Sequence, residues 1–207
     1  MPNPARRLRW LLLVLTGFLS ALALADPPAR VGRLSLYEGS VLFRSDRQDA
    51  GSPATVNWPL SSGAILDTGP DGRSEAWVGS TAFRLGSGSR LEFATVDDHV
   101  VLLQLATGTL AISVRDAEQA RDIEVRTPDG RIQFAGAGRY RIDVRPGRTL
   151  VVVEAGSAYA YGRGNALTVP AGRSTVLDAA GQETLYGLPA RDAFDDWSSS
   201  RDAGSEA

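Results

Sequence analysis

Between Val31 and about Leu185, apolar and polar residues alternate along most segments of the chain. A period of two places one face of a strand against a core and the other face toward solvent. Two stretches, residues 100–105 and 150–153, are almost continuously apolar, which is typical of strands that are covered on both faces. The pattern therefore predicts an all-β protein, with a change of character after Leu188.

Two internal repeats accompany this pattern. An apolar strand, a Gly-Ser or Gly-Thr corner and a second apolar strand recur around Gly39, Gly108 and Gly156. A Pro-Asp-Gly turn followed by an aromatic-Arg-aliphatic strand also occurs twice, with Phe-Arg-Leu at residues 83–85 and Tyr-Arg-Ile at residues 140–142. Repeated strand–corner–strand units at this density predict twisted, solenoid-like stacked β-sheets.

The N-terminus has the three-part organisation of a secretory signal peptide. Arg6, Arg7 and Arg9 precede an uncharged apolar stretch, and the Ala-Leu-Ala at residues 23–25 fits a small-x-small cleavage site. The uncharged stretch, residues 10–25, is shorter than the roughly 20 residues that a membrane-spanning helix needs. We therefore expect cleavage after Ala25, a periplasmic mature protein, and no stable membrane insertion after cleavage.

The C-terminal segment has helical rather than strand spacing. Phe194 and Trp197 share a helix face at i, i+3, and Arg191 can pair with Asp195 at i, i+4. The aromatic face either caps the last β layer or docks a partner, and capping is favoured because an exposed aromatic pair promotes aggregation. These patterns divide the chain into a signal peptide at 1–25, a β domain at 26–187, and a short helix with a disordered tail at 188–207.

Composition removes several kinds of chemistry. Cysteine is absent, so disulfides, thiolate nucleophiles and cysteine metal sites are excluded. His99, the single histidine, follows Asp97 and Asp98, but one imidazole beside two acids lacks the ligand number of a metal centre, and a solvated turn is favoured. The formal net charge of −2 gives no reason to expect a nucleic-acid partner. No metal or cofactor is predicted.

One short motif suggests an enzyme. Two apolar residues followed by Asp67-Thr68-Gly69 match the signature of aspartic peptidases, which use two carboxylates that share one proton. Only one copy occurs, and it runs directly into a Pro-Asp-Gly turn. An aspartic-type peptidase that uses Asp67 is therefore a remote alternative, and it would require a symmetric dimer.

A row of arginines is the first candidate binding face. Arg139, Arg141 and Arg145 alternate with apolar residues and so share one strand face, and Arg148 can join them at the following turn. Guanidinium groups in this arrangement can bind an anionic group or an acidic partner. The alternative is a solvated face that Asp143 partly neutralises.

A pair of tyrosines is the second candidate. Tyr159 and Tyr161 lie on one strand face, opposite Ala158 and Ala160. They form either an aromatic platform that stacks on a glycan, or side chains that pack at the edge of the core with their hydroxyl groups in water.

Several motifs occur in an order that resembles FecR-type domains of exported bacterial proteins. The resemblance covers about residues 31–185, and the C-terminal Arg-Asp, Phe-Asp and Trp residues resemble the segment that follows this domain in a larger exported group. The matching motifs are Tyr-Glu-Gly-Ser-Val at 37–41, Trp-Pro-Leu at 58–60, Gly-Ala-Ile-Leu at 63–66, Thr-Gly-Pro-Asp-Gly at 68–72, Phe-Arg-Leu at 83–85, Ala-Thr-Gly at 106–108 and Val-Arg-Thr-Pro at 125–128.

The resemblance implies a twisted, solenoid-like β domain that works in the periplasm and carries no catalytic residues. Some relatives are transmembrane regulators that pass an outer-membrane signal to a sigma factor, but this chain has only nine residues before its apolar stretch. We therefore expect a non-catalytic periplasmic interaction or scaffold module that binds an envelope protein. The alternative is an envelope-signalling component related to the sigma-factor regulators.

Overall fold

The computed structural model describes residues 30–164, 166–181 and 184–204. The predicted signal peptide and the last residues of the predicted tail lie outside this part of the chain. Strands dominate, and two short helices, α1 (Ala117–Asp122) and α2 (Ala193–Gly204), occur among the described residues. The prediction of an all-β protein with a short C-terminal helix is confirmed. No helix in the described ranges is long and apolar enough to cross a bilayer.

The strands form two sheets that share one long strand, β9 (Val101–Val114). The first sheet has the order β4 (Pro59–Leu60), β1 (Gly32–Glu38), β6 (Arg73–Val78), β7 (Thr81–Leu85), β9, β12 (Gly138–Arg145), β13 (Arg148–Ala155) and β16 (Arg173–Asp178). The second sheet has the order β3 (Ser52–Pro53), β2 (Val41–Arg44), β5 (Ile65–Thr68), β8 (Arg90–Val96), β9, β10 (Ile123–Thr127), β11 (Gly130–Phe134), β14 (Ser157–Tyr161) and β15 (Ala166–Pro170).

Strand β9 passes from one sheet into the other. Its first half pairs with β8 and β10 in the second sheet, and its second half pairs with β7 and β12 in the first sheet. The β9–β10 pair is parallel, whereas the other strand pairs in the described ranges are antiparallel. Both sheets are open, and β9 joins them into one hydrogen-bonded network.

The core lies between the inner faces of the two sheets. Phe83 of the first sheet and Phe93 of the second sheet meet edge to face, with ring centroids 6.3 Å apart. Leu34, Leu105 and Val153 are fully buried in the same core cluster. Burial of each such side chain contributes about 1.5–3 kcal/mol to stability. The apolar positions of the predicted alternation are thus the ones that hold the two layers together.

The three predicted glycine corners lie where the chain crosses between the sheets. Gly39, Gly108 and Gly156 have φ angles of 65°, 89° and 88°, and the crossings lead from β1 to β2, through the middle of β9, and from β13 to β14. At Gly108 a Cβ atom would lie 2.4 Å from the Cα atom of Ser89. Both the left-handed backbone and the close approach of another chain segment therefore require glycine at this corner.

Helix α2 differs from its predicted extent. It begins at Ala193 because Asp192 caps it: Asp192 Oδ1 accepts hydrogen bonds from the backbone N–H groups of Phe194 and Asp195 at 2.9 and 3.0 Å. Asp195 Oδ2 accepts in return from the Asp192 N–H group at 3.0 Å, which completes a capping box. The helix continues to Gly204, so the part of the predicted disordered tail that follows Trp197 is helical up to that residue.

Candidate functional site

A cross-strand row on the outer face of the first sheet brings the two repeated arginines together. Arg84 of β7 and Arg141 of β12 are both in register with Ala111 of β9, one on each side. Glu75 of β6 extends the row beyond Arg84, and Val152 of β13 extends it beyond Arg141. We call Arg84 and Arg141 the arginine clamp, because both contact helix α2 across the methyl side chain that separates them.

Arg84 is fully buried although it points to the outer face of the sheet. Its Nε atom donates to Glu75 Oε2 at 2.8 Å, and its Nη2 atom lies 2.8 Å from Asp202 Oδ1 of α2. Its Nη1 atom donates to Ser198 Oγ of the same helix at 3.2 Å. Helix α2 therefore covers this guanidinium group and supplies part of its charge compensation.

Arg141 holds the N-terminal end of the helix. Its Nη1 atom donates to Asp195 Oδ1 at 2.7 Å, its Nη2 atom lies 2.9 Å from Asp192 Oδ2, and its Nε atom donates to Asp143 Oδ2 at 2.9 Å. Burial opposes the charge on this guanidinium group, but the three carboxylates outweigh it and raise the pKa of Arg141. This side chain is committed to the helix and to its own strand.

Glu75 is the acidic centre beneath the helix. Its carboxylate accepts hydrogen bonds from Arg84, from Arg201 of α2 at 2.9 Å, from Trp77 Nε1 at 3.2 Å and from Ser35 Oγ at 2.9 Å. Burial favours the neutral form, but these donors outweigh it and lower the pKa of Glu75 to about 2. Glu75 is therefore fully ionised at neutral pH in spite of its burial.

The spacing of the helix matches the spacing of the strands. Asp195 and Asp202 are seven residues apart, which corresponds to two helical turns and a rise of about 10.5 Å. Arg84 and Arg141 are separated by β9, and two inter-strand steps amount to about 9.6 Å. A helix that lies across the strands can thus place one carboxylate on each arginine of the clamp.

The aromatic pair of α2 lies beside this network. The rings of Phe194 and Trp197 are 5.7 Å apart, as their shared helix face predicts, and both residues are half-buried. Trp197 Nε1 donates to Glu38 Oε1 at 3.3 Å, and the Arg73 guanidinium lies 4.8 Å from the centroid of the indole ring. Trp197 therefore contacts the outer face of the first sheet at β1 and β6, while the Arg141 guanidinium of β12 lies 5.7 Å from the centroid of the Phe194 ring.

The predicted pair between Arg191 and Asp195 is wrong. Arg191 precedes the first residue of α2, so the helical i, i+4 geometry does not apply to it. Its guanidinium lies 3.4 Å from Asp196 and 3.5 Å from Glu154, while Asp195 contacts Arg141 instead.

The four predicted face arginines separate into two groups. Arg141 is partly buried under the helix, and Arg139 lies 3.4 Å from Glu154. Arg145 and Arg148 are exposed at the β12–β13 turn and have no ion pair among the described residues. These two, with Arg141, Asp143, Leu150, Pro189, Ala190 and Asp192, line a groove of about 260 Å³, which we call the arginine groove.

The predicted tyrosine face lies on the outer side of the second sheet. Tyr159 is 39% exposed, and the Arg131 guanidinium lies 4.4 Å from the centroid of the Tyr161 ring. Ala158 and Ala160 point the other way and are fully buried. Part of the predicted platform is therefore covered by an arginine of the neighbouring strand β11.

Asp67 lies in an ion-paired environment. Arg90 donates to its two oxygen atoms at 2.6 and 3.0 Å, and Arg44 donates at 2.9 Å. Burial opposes the charge, but the hydrogen bonds from Arg90 and Arg44 outweigh it and lower the pKa of Asp67. Two carboxylates that share a proton need an environment that raises one of their pKa values, whereas the two arginines lower the pKa of Asp67. This geometry therefore does not fit the peptidase hypothesis.

The Asp97-Asp98-His99 segment forms the turn between β8 and β9. Asp97 Oδ1 accepts from the backbone N–H groups of His99 and Val100, both at 2.8 Å, and Asp98 Oδ1 accepts from the Arg30 N–H group at 2.9 Å. Over the described ranges, no group of three or more acidic or histidine side chains is placed to hold a metal ion.

The sequence patterns did not identify Glu75, Arg84, Arg201 and Asp202 as parts of one network. Alternation alone assigns Glu75 and Arg84 to a solvated strand face, because it does not reveal that a helix covers that face. The repeated aromatic-Arg-aliphatic motif was the available signal, since it places Arg84 and Arg141 at equivalent positions in two strands.

Comparison with known proteins relates this chain to one family and one solved fold. The model of the family described as FecR protein matches residues 64–159. Two crystal structures of a candidate anti-sigma factor from Parabacteroides distasonis ATCC 8503, at 1.65 and 2.50 Å resolution, superpose with a TM-score of 0.52 at 11% and 12% identity. The superposition covers 61% of this chain and 60% of theirs. No curated protein sequence matches this chain.

The likeness to those structures concerns the fold alone, because the identity is low. The family match runs from the start of β5 to β14, includes both arginines of the clamp and ends before α2. Residues 64–159 of this chain therefore form a FecR-type domain.

Proposed function

We propose that this protein is a non-catalytic interaction module of the bacterial envelope, in which the FecR-type domain presents charged outer sheet faces to a protein partner. The FecR match over residues 64–159 carries the proposal. The repeated crossings between the sheets at glycine corners support a solenoid-like stack, and such stacks commonly serve as extended binding surfaces. The predicted signal peptide supports a periplasmic location for the module.

The arginine groove is the part of the surface best suited to a partner. Arg145 and Arg148 present guanidinium groups that no carboxylate in the described ranges neutralises. Forked guanidinium groups bind carboxylates in a bidentate manner, so an acidic segment of an envelope protein is the expected occupant.

A non-catalytic role agrees with the state of the acidic groups. The carboxylates of Asp67 and Glu75 are each held ionised by two arginines. Acid–base catalysis needs a carboxyl group whose pKa lies near the working pH, and these arginines move the pKa in the other direction.

The second candidate, an envelope-signalling component, is favoured by the same family match and by the fold likeness to the anti-sigma factor. It requires a direct contact with a receptor or with a sigma-factor regulator. In that case, deletion of the gene changes the transcription of one sigma factor's target genes, whereas a scaffold leaves that transcription unchanged.

Site-directed photo-crosslinking in cells tests the proposal. A photoreactive residue at Ala190, which lines the groove, is expected to capture one defined envelope protein. Adding Arg145→Glu and Arg148→Glu to the same chain is expected to reduce the capture about tenfold, as the loss of a bidentate contact predicts. Arg173→Glu, at an exposed arginine of β16, is the matched control and should leave the capture unchanged. If neither Arg145→Glu/Arg148→Glu nor Arg173→Glu changed the amount of captured protein, a specific role of the groove would be refuted.

The same cells test the location. The protein in the periplasmic fraction should begin at Asp26 when its N-terminus is determined by mass spectrometry. Recovery from the membrane fraction with residues 1–25 still attached would refute export with cleavage.

A further inference from the structure

The contacts of α2 differ from those of an ordinary core helix. The buried residues of α2 are Asp195 and Ser198, both polar, whereas Phe194 and Trp197 are only half-buried. The buried side chains of α2 are thus polar, and Phe194 and Trp197 add partial apolar burial, so matched ion pairs set the register of the helix on the sheet. Ion pairs of this kind fix geometry and register more than they add net stability, because desolvation offsets much of the attraction.

The sheet beneath α2 has a defined complementary shape and charge. Ala111 places only a methyl group on the path of α2 over β9, where it lies with Asp195, Ser198 and Asp202 around one small cavity, and the arginine clamp supplies one cation at each side of that path. We call this path, bounded by Arg84 and Arg141, the helix slot. Because the clamp spacing of about 9.6 Å is close to the rise of about 10.5 Å over seven helical residues, the slot favours carboxylates seven residues apart over carboxylates at other separations.

We propose that the helix slot is a binding site for a helix of a protein partner that carries two carboxylates at i and i+7 with a small hydroxyl residue at i+3, and that α2 occupies the slot in its absence. Asp195, Ser198 and Asp202 of α2 display this pattern and contact the slot at 2.7, 3.2 and 2.8 Å. The inference rests on the proposed function, because it names the chemistry of a protein partner. It differs from the arginine groove in requiring that α2 be displaced.

A partner of this pattern replaces the contacts that the clamp makes with α2. An incoming helix with the same two carboxylates and hydroxyl restores the contacts of Arg84 and Arg141 that the departing α2 breaks, whereas Glu75 loses its pair with Arg201. A helix without these groups would leave Arg84 and Arg141 with only their sheet partners Glu75 and Asp143, and the outer nitrogen atoms of the buried Arg84 guanidinium without hydrogen-bond acceptors, which is unfavourable. The slot therefore selects a partner helix by the spacing of its carboxylates.

A synthetic helix tests this inference with purified components. The receptor is the full chain with Asp195→Asn and Asp202→Asn, which removes the carboxylates of α2 and leaves the slot intact. The probe is a fluorescein-labelled peptide of residues 189–204, and its binding is followed by fluorescence anisotropy. We expect saturable binding to this receptor and at least about tenfold weaker binding to the wild-type chain, whose slot is occupied.

The control peptide exchanges the residues at 202 and 203, with Asp202→Ala and Ala203→Asp. It has the same composition and net charge, but the second carboxylate is rotated by about 100° around the helix. We expect its binding to the receptor to be at least about tenfold weaker, as the loss of one ion pair at a buried site predicts. Equal binding of both peptides, or no binding of either, would overturn the inference.

Hydrogen exchange on the wild-type chain provides a test that needs no substitution. Excess probe peptide should accelerate amide exchange of residues 193–204 and leave exchange in β7, β9 and β12 unchanged, because only α2 leaves the sheet. The control peptide should have no such effect. A concentration-dependent wild-type dimer that the probe dissociates would instead assign the slot to α2 of a second copy, and so would overturn the partner assignment.

These outcomes are independent of the cellular test of function. Failure of the peptide to bind removes the helix slot as a partner site, but leaves a partner captured at the arginine groove unaffected. Failure to capture any partner in cells, with specific peptide binding in vitro, would refute the interaction role and leave the chemistry of the slot standing.

Discussion

The substitution Glu75→Gln tests the ionic network beneath α2 most directly. It preserves the size of the side chain and removes the charge that Arg84 and Arg201 compensate. The Glu75 side chain is 2% exposed, so solvent cannot replace the lost interactions. We expect the variant to fold with the same strands and to be less stable at neutral pH.

The size of the effect follows from the pKa of Glu75. A decrease from 4.5 in the unfolded chain to about 2 in the folded protein corresponds to about 3 kcal/mol of stability at pH 7, since each pH unit amounts to about 1.4 kcal/mol. Because the folded pKa is depressed, this stability is fully present above pH 4.5 and decreases as the pH falls toward 2. About 1 kcal/mol should remain at pH 2.5.

Urea unfolding followed by circular dichroism at pH 7 and at pH 2.5 measures this. The difference in unfolding free energy between wild type and Glu75→Gln should be about 3 kcal/mol at pH 7 and about 2 kcal/mol smaller at pH 2.5. Glu118→Gln is the control, because Glu118 is exposed, and it should change stability by less than about 0.5 kcal/mol at either pH. An equal difference for Glu75→Gln at both pH values would refute the assignment of a strongly depressed pKa.

Three further predictions concern other parts of the fold, each checked by urea unfolding at pH 7. Gly108→Ala should destabilise the protein by about 2 kcal/mol more than the control Gly147→Ala. Both positions have positive φ, but a Cβ atom at Gly108 would collide with Ser89, whereas one at Gly147 meets nothing within 4 Å. Asp67→Asn should lower the unfolding free energy by about 1 kcal/mol, and this loss should become smaller as the pH falls below 3.8. In a separate peptidase assay, the wild-type protein should cleave no peptide at acid pH. Tyr140→Phe should cost about 1 kcal/mol, because it removes the hydrogen bond from the hydroxyl group to the Gly136 carbonyl oxygen at 2.8 Å.

Much of the architecture was predictable because local chemistry determines it. Alternation predicted the strands, and the repeats predicted the three glycine corners, where a left-handed backbone that another segment approaches closely admits little else. That each corner leads from one sheet into the other depends on the strand pairing, which the repeats do not reveal. The start of α2 was harder to predict. Helical periodicity begins at Leu188, but the capping side chain of Asp192 sets the actual boundary, and such boundaries depend on a few hydrogen bonds.

The candidate site was less predictable, because it is assembled from residues far apart in the chain. Glu75 and Asp202 both contact Arg84, yet no local pattern links them. The arginine row at Arg139 to Arg148 was found from alternation, but whether each guanidinium is free or paired depends on where α2 packs. The packing of α2 over the sheet, and not the strand pattern itself, decides which of these charged side chains are available to a partner.

Strand β9 also determines which fragments of this protein can exist by themselves. Its 14 residues supply the central neighbour of β8 and β10 in one layer and of β7 and β12 in the other. A chain cut at Gly108 would leave each half with an unpaired edge where a hydrogen-bonded neighbour had been, and such edges recruit foreign strands. We therefore expect the two layers to melt as a single cooperative unit, and a minimal autonomous version of this protein to need the whole of β9.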